Sequence, residues 1–390
     1  MRERQFTDCV DIVGASCKPF EGNRRYISTG AVATDHIDEN DVEIVDYKSR
    51  PSRADLIVEP GTLLFAKMQG TKKTLYVDKE KAENIYSTGF FALKAKSGVI
   101  STRCLYHMLG STSFLTQKDK NCSGATQKAI TNAGLKKIRV SIPDYQLQEA
   151  IADQLDKISS VIQMRRSELQ KLDDLVKARF VEMFGNPIEN PMQWDTYSLK
   201  ECLERIDNGK SFICSDKPRT GDNPAILKLS AATYGDYRSN ENKALLDESL
   251  FVESSEVHAG DLLFTRKNTP ELVGMAAYVL NTPPKLMMPD LIFRLVPNEK
   301  VNAVFLWLLI NCKEFRPAIQ AISGGSAKSM SNISKERLGK IKIICPPREL
   351  QDFLIPFVKQ VDKSKFVESI HVLKLIKEAI AKEVSHDRIR

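Results

Sequence analysis

The sequence has no paired cysteines, no long apolar run and few histidines, and each shortage closes off a class of function. Its eight cysteines (positions 9, 17, 104, 122, 202, 214, 312 and 345) include no Cys-x-x-Cys pair and no histidine at ligand spacing. Neither a disulfide framework nor a zinc site is expected; the thiols read as reduced and mostly buried, in a cytoplasm. The most apolar run, Val301 to Ile310, is too short to span a bilayer, and the N-terminal MRERQFTDCVDIV lacks the apolar core of a signal peptide. A cytoplasmic location with no membrane partner is expected.

Signatures of catalysis are missing as well. An amino-methyltransferase needs an Asn/Asp-Pro-Pro-aromatic loop to hold a flipped base. The nearest words are Asn190-Pro-Met, Asn223-Pro-Ala and Thr282-Pro-Pro-Lys285, and none fits. There is no Gly-x-Gly-x-x-Gly, and Ser323-Gly-Gly-Ser-Ala-Lys-Ser329 lacks the Gly-Lys-Ser/Thr ending of a phosphate-binding loop. Pro289-Asp290 with Glu299-Lys300 has its acid and lysine adjacent, where a metal-dependent nuclease separates them by one residue. The five histidines (36, 107, 258, 371 and 386) are isolated. The chain is expected to have no catalytic residue, no metal ligand and no cofactor of its own.

What the sequence does have is a long amphipathic stretch from Ile142 to Gly185. Pro143 opens it, and no further Pro or Gly occurs until Gly185-Asn186-Pro187. Leu147, Ile151, Leu155, Ile158, Ile162, Leu169, Leu172 and Val176 recur at steps of four and three, with Arg165 the one charged intruder. That period lays one apolar stripe along an α-helix. About 38 residues at 1.5 Å each make a rod of roughly 57 Å. A pattern this long asks for a partner helix.

Ahead of the rod, short β-type runs separated by turns (Arg25 to Ile27, Val42 to Val45, Leu56 to Val58, Thr62 to Ala66, Thr74 to Val77, Gly89 to Leu93) lead to a helix near Thr102 to Thr116 and a strand Ile138 to Ile142. After it the order recurs: strands Ala225 to Leu229, Leu262 to Thr265, Met275 to Leu280 and Leu291 to Val296, a helix near Ala303 to Ile319, and a strand Lys340 to Ile344. Individual residues correspond. Pro143, Leu147 and Gln148 meet Pro346, Leu350 and Gln351 at one constant offset, and Gly61-Thr-Leu-Leu-Phe-Ala-Lys67 matches Gly260-Asp-Leu-Leu-Phe-Thr-Arg266. The chain is a tandem repeat of a domain followed by a helix.

The second helix is less regular. Its stripe runs Leu350, Leu354, Val358 and Val361, meets Lys365 and Glu368, and resumes at Val372 and Leu375, while Pro356 should kink it or delay its start. The expected fold is α+β: two β-rich domains related by a pseudo-twofold axis and joined by two long antiparallel coiled-coil helices. The boundaries are residues 1–142 for the first domain, 143–185 for the first helix, 186–345 for the linker and second domain, and 346–390 for the second helix. The two stripes are expected to pair as the coiled coil.

Two similar readers on a rod match a bipartite target, and duplex DNA repeats its groove about every 34–36 Å. The net charge of +7 permits a polyanionic partner without demanding one. Candidate phosphate and base contacts are Arg24, Arg25, Lys67, Lys72, Lys73, Gln127 and Lys128 in the first domain. In the second they are Lys228, Tyr234, Arg266, Lys267, Asn268, Ser326 and Lys328. Arg, Lys, Asn and Gln can pair with phosphates and base edges. Taken singly each reads more readily as a solvated surface charge than as a contact; the matched pairs Lys67/Arg266 and Lys128/Lys328 gain weight.

The words Gly124-Ala-Thr-Gln-Lys128, Leu135-Lys-Lys-Ile138, Ile142-Pro143 and Leu147-Gln148, with the helix ending Lys177-Ala-Arg-Phe-Val-Glu-Met-Phe-Gly-Asn-Pro187, resemble the specificity subunit of type I restriction-modification systems. The resemblance covers essentially the whole chain. The second half departs from it, with Gly324-Gly-Ser-Ala-Lys328 at the Gly-x-Thr-Gln position. The resemblance implies that each domain reads half of an interrupted site in double-stranded DNA, the helices acting as spacer and platform. It also implies two methylation subunits, which carry S-adenosylmethionine, and motor-nuclease subunits in the full complex. No base-reading residue carries over. The contrasting expectation is a non-catalytic coiled-coil scaffold whose two domains bind protein.

Overall fold

The computed structural model describes residues 2–125, 127–324 and 330–363. The chain divides into two compact units, and the division falls inside the long helix, after Gln163. Among the described residues no helix is long and apolar enough to cross a membrane. All eight cysteines are free thiols, and five of them are buried.

The first unit is organised around the strand Thr62–Ala66, all of whose residues are buried. It lies between Phe90–Ala95 and Thr74–Val77 in a four-stranded antiparallel sheet whose other edge is Val10–Val13. Successive side chains of a strand point to opposite faces. Leu63 and Phe65 therefore enter a core with Phe6, Leu105 and Phe114, while Leu64 and Ala66 enter another with Ile27, Leu75 and Tyr86. A second sheet contains the parallel pair Asn23–Ile27 and Ile85–Ser87, flanked by Glu43–Asp46 and Ala54–Ile57. Finally, Arg2–Gln5 pairs antiparallel with Arg139–Ile142, tying the start of the unit to the residues that precede the long helix.

The second unit repeats this plan. Leu262–Thr265, again wholly buried, lies between Ile292–Pro297 and Ala276–Tyr278, with Leu203–Asn208 at the other edge. Its alternation divides the same way, Leu262 and Phe264 to one core and Leu263 to another. Ala225–Leu227 runs parallel to Leu286–Met287 and antiparallel to Asn242–Ala244. Thr196–Ser198 closes the unit on Lys342–Ile344.

Each expected single helix is in fact two. Thr102–Leu109 and Thr112–Lys120 are separated at Gly110, and Ser101 and Ser111 cap them by accepting from Cys104 N and Phe114 N. Ala303–Asn311 and Arg316–Ala321 are separated at Cys312, with Pro317 in the first turn of the second, where its missing N–H costs nothing.

The long helix runs from Tyr145 to Phe184, 40 residues. Its burial differs from the expected stripe. Gln148 and Ala152 are buried in the first turns, one position round from Leu147, which is 42% exposed. Ile151, Leu155, Ile158, Ile162, Leu169 and Leu172 are half-buried, and Val176 is buried. Near the C-terminal end Phe180 and Phe184 pack on Phe305, at ring separations of 5.6 and 5.0 Å. The second helix begins as Arg348–Asp352, breaks at Phe353 and continues over 354–363. Pro356, lacking an N–H for the carbonyl four residues earlier, accounts for the break. Leu354, Val358 and Val361 are buried and Leu350 is half-buried. Leu375, and the expected antiparallel pairing beyond 363, lie outside the described residues.

Candidate nucleic-acid interface

Each central strand ends in a cation that lies on a phenylalanine of the neighbouring strand. Lys67 Nζ is 4.5 Å from the Phe91 ring centroid, and the Arg266 guanidinium is 5.0 Å from that of Phe293. Strand pairing sets this up in both units, placing Phe65 opposite Phe91 and Phe264 opposite Phe293. Neither cation is held ready for a ligand. Lys67 Nζ donates to Thr88 O at 2.8 Å, and burial pushes its pKa down. Arg266 donates to Asn332 Oδ1 at 3.3 Å.

The residues that follow form a loop in each unit. In the first, residues 67–73 are knit to the next helix and to the segment around Lys128. Gln69 N donates to Lys128 O at 2.9 Å, and Gly70 N donates to Asp119 Oδ1 at 3.0 Å. The ammonium of Lys118, fully buried, donates to Met68 O at 2.9 Å and Thr71 O at 2.7 Å. Lys72, Gln127 and Lys128 are all exposed. Lys73 is drawn inward, donating to Thr29 O at 2.8 Å. Arg24 and Arg25 belong to the other sheet and line a separate cavity of about 740 Å³ with His36, Glu39 and Lys81. There the Arg24 guanidinium stacks 4.8 Å from the Phe20 ring, and Arg25 grips both Glu39 oxygens at 2.8 Å.

In the second unit Lys267 and Asn268 form a two-residue strand against Ser331–Asn332. Asn268 was expected to face a ligand; only 7% exposed, it donates instead to Thr233 Oγ1 at 3.1 Å. Trp307 Nε1 holds the next loop residue but one, donating to Gly235 O at 2.7 Å. Between these anchors Tyr234 stands 56% exposed, with the Arg238 guanidinium 4.8 Å above its ring. Lys228 is half-exposed, 3.6 Å from Glu241. Ser326 and Lys328 lie outside the described residues.

The start of the long helix carries a charged junction within the first unit. Arg103 reaches Glu149 at 3.0 Å, Asp153 at 2.7 Å and Asp156, and His107 Nε2 lies 2.6 Å from Asp156 Oδ1. Burial alone would raise the Asp156 carboxyl, but the hydrogen bonds from Arg103 and His107 outweigh it and hold the pKa below its ordinary value. Residue-by-residue reading did not single out Lys118, Arg238, Arg103 or the roles of Gln148 and Gln351. For the glutamines the signal was present, since both follow a leucine at the offset that relates the two prolines.

Comparison with known proteins bears on both units. The type I restriction modification DNA specificity domain matches residues 12–173 and again 191–376. The specificity subunit of the EcoEI type I restriction enzyme of Escherichia coli is 33% identical over 167 residues, covering 42% of this chain and 28% of that one. The HindI specificity subunit of Haemophilus influenzae is 20% identical over 378 residues, covering 79% of this chain and 82% of that one. The chain thus spans 28% of the length of the first relative and most of the second. A solved type I restriction-modification S subunit from M. genitalium is 14% identical with a TM-score of 0.48, covering 97% of this chain and 94% of that one.

Proposed function

Since the chain belongs to the type I restriction modification DNA specificity family, matched once in each repeat, we propose that it is the DNA-recognition subunit of a type I restriction-modification enzyme. Each repeat reads one half of an interrupted target in double-stranded DNA. The domains are residues 1–142 and 186–345, and the helices of 143–185 and 346–390 pair as an antiparallel coiled coil that sets the spacer. The stripes on those helices dock two methylation subunits, which carry S-adenosylmethionine, and motor-nuclease subunits complete the restriction enzyme. The chain contributes no catalytic group and works in the cytoplasm.

The observation that carries this reading is the duplicated sheet, each copy flanked by exposed groups: Lys72, Gln127 and Lys128 in the first unit, and in the second Tyr234, on the loop that follows Ala225–Leu227. Lys72, Gln127 and Lys128 serve the first half, and Lys267 and Tyr234 the second. Lysines at such loops neutralise phosphates and fix the register of the protein on the duplex, while amide and aromatic groups reach base edges and thymine methyls. Lys67, Lys73, Arg266 and Asn268 act one step back, holding the loops that make contact.

Methylation mapping of host DNA, with and without this gene and with its methylation partner intact, tests the proposal. An interrupted, asymmetric adenine-methylated motif that vanishes on deletion is expected. An unchanged methylation pattern would sink it.

A further inference from the structure

The two loops are held by the same device built from different residues. In the first unit the Lys118 side chain has no exposed surface. Its donors go to Met68 O at 2.9 Å, Thr71 O at 2.7 Å and Thr71 Oγ1 at 3.5 Å, with Asp119 Oδ1 at 3.3 Å. In the second unit Arg316 performs the same grip: Nη1 on Gly274 O at 2.6 Å, Nη2 on Val273 O at 2.6 Å and on Glu271 O at 3.4 Å. Both cations come from the second of the two helices that follow the sheet, and both grasp backbone carbonyls of the loop after the central strand. They are not equivalent positions. Phe114 corresponds to Phe315, so Lys118 lies four residues after that marker and Arg316 one residue after it. The carbonyls gripped differ too, residues 68–71 early in the first loop and 271–274 late in the second, so what recurs is a loop held from inside by a helix cation.

A buried charge is costly unless its donors are met, and an apolar side chain of similar volume would fill the space with less penalty. What the cation adds is geometry. Carbonyls turned inward onto it fix the peptide planes of residues 68–71 and 271–274, and so fix which groups the loop turns outward.

We propose that Lys118 and Arg316 are positioning residues for DNA readout, each setting the shape of the reading loop in its own repeat. This rests on the DNA-recognition reading above. The test is methylation mapping with the full chain and its methylation partner, comparing wild type with K118M and R316M. Each variant should relax discrimination at the bases of one half of the motif by at least about tenfold, roughly the effect of one mismatched base pair. The two variants should affect different halves. If wild type gives no bipartite motif, the recognition reading itself fails. If wild type gives the motif and both variants keep full discrimination, or relax both halves alike, the positioning role is overturned. Should K118M fail to accumulate, K118Q combined with K72A decides the matter. Loss of the K72A effect on duplex affinity in the K118Q background supports positioning, and its full persistence overturns it.

Discussion

Gln148 and Gln351, both fully buried, make the same three hydrogen bonds in their own repeats. Gln148 Oε1 accepts from Ser101 N at 2.7 Å, and its Nε2 donates to Val99 O at 2.9 Å and Pro143 O at 3.1 Å. Gln351 Oε1 accepts from Asn302 N at 3.0 Å, and its Nε2 donates to Lys300 O at 2.9 Å and Pro346 O at 2.7 Å. Each carboxamide therefore joins the first turn of an outgoing helix to the backbone just ahead of a domain helix. It satisfies backbone groups that the fold has removed from water.

Replacing Gln148 by alanine strands the Ser101 N–H and the Val99 and Pro143 carbonyls, and replacing Gln351 strands the buried Asn302 N–H and the Pro346 carbonyl, Lys300 O keeping the Cys345 thiol at 3.3 Å. We expect Q148A and Q351A each to lower stability by about 2–3 kcal/mol. Urea denaturation followed by far-UV circular dichroism checks this. A loss below 0.5 kcal/mol, within the range of ordinary surface changes, would show that the junction is held by apolar packing alone.

Lys72 and Lys67 should separate cleanly. K72A, and likewise K128A, should weaken DNA binding, flatten the slope of log affinity against log salt by about 1, and leave the melting temperature unchanged. K67A removes the bond to Thr88 and the stacking on Phe91, so it should lower the melting temperature first. Titration of labelled duplex at several salt concentrations, beside thermal melts, distinguishes the two behaviours.

The charged junction has a pH signature. Asp156 has a folded pKa below its unfolded value, so its contribution is present above the unfolded pKa, about 3.9. That contribution is lost as pH falls through the folded value. D156N should be less stable than wild type at neutral pH, and the gap should close on acidification below about pH 4. A gap that stays constant with pH would assign the effect to packing.

A heptad inserted near Lys171 keeps the apolar phase of the helix and adds about 10.5 Å. Under the proposed function the spacer between half-sites should lengthen by about three base pairs, at 3.4 Å each. The bases read in each half should not change. Methylation mapping of the insertion variant reads both properties together, and altered bases with an unaltered spacer would discard the ruler.

What local pattern encodes is legible in the sequence. The long helix was read from its four-and-three spacing, and the strands Thr62–Ala66 and Leu262–Thr265 were read from their runs and flanking turns. The break at Gly110 was passed over because one glycine costs a helix only about 1 kcal/mol, while Ser111 was free to start a new one. Contacts made at long range were not legible. Lys67, Lys73 and Asn268 have the chemistry of DNA contacts, but partners 21, 44 and 35 residues away claim their donors. Lys118 finds its carbonyls 47 and 50 residues back along the chain, and nothing near it in sequence announces them.

The pairing of Arg2–Gln5 with Arg139–Ile142, and of Thr196–Ser198 with Lys342–Ile344, fastens the beginning of each repeat to its own end. Each repeat can therefore be inherited as a sealed piece. A single crossover between two related genes, falling in the codons for residues 157–171 of the long helix, between the Arg103–Asp156 junction and the residues that enter the second unit's core, hands over one complete repeat with both closing strands in place. No core has to be refitted, and a new combination of halves arises in one recombination step.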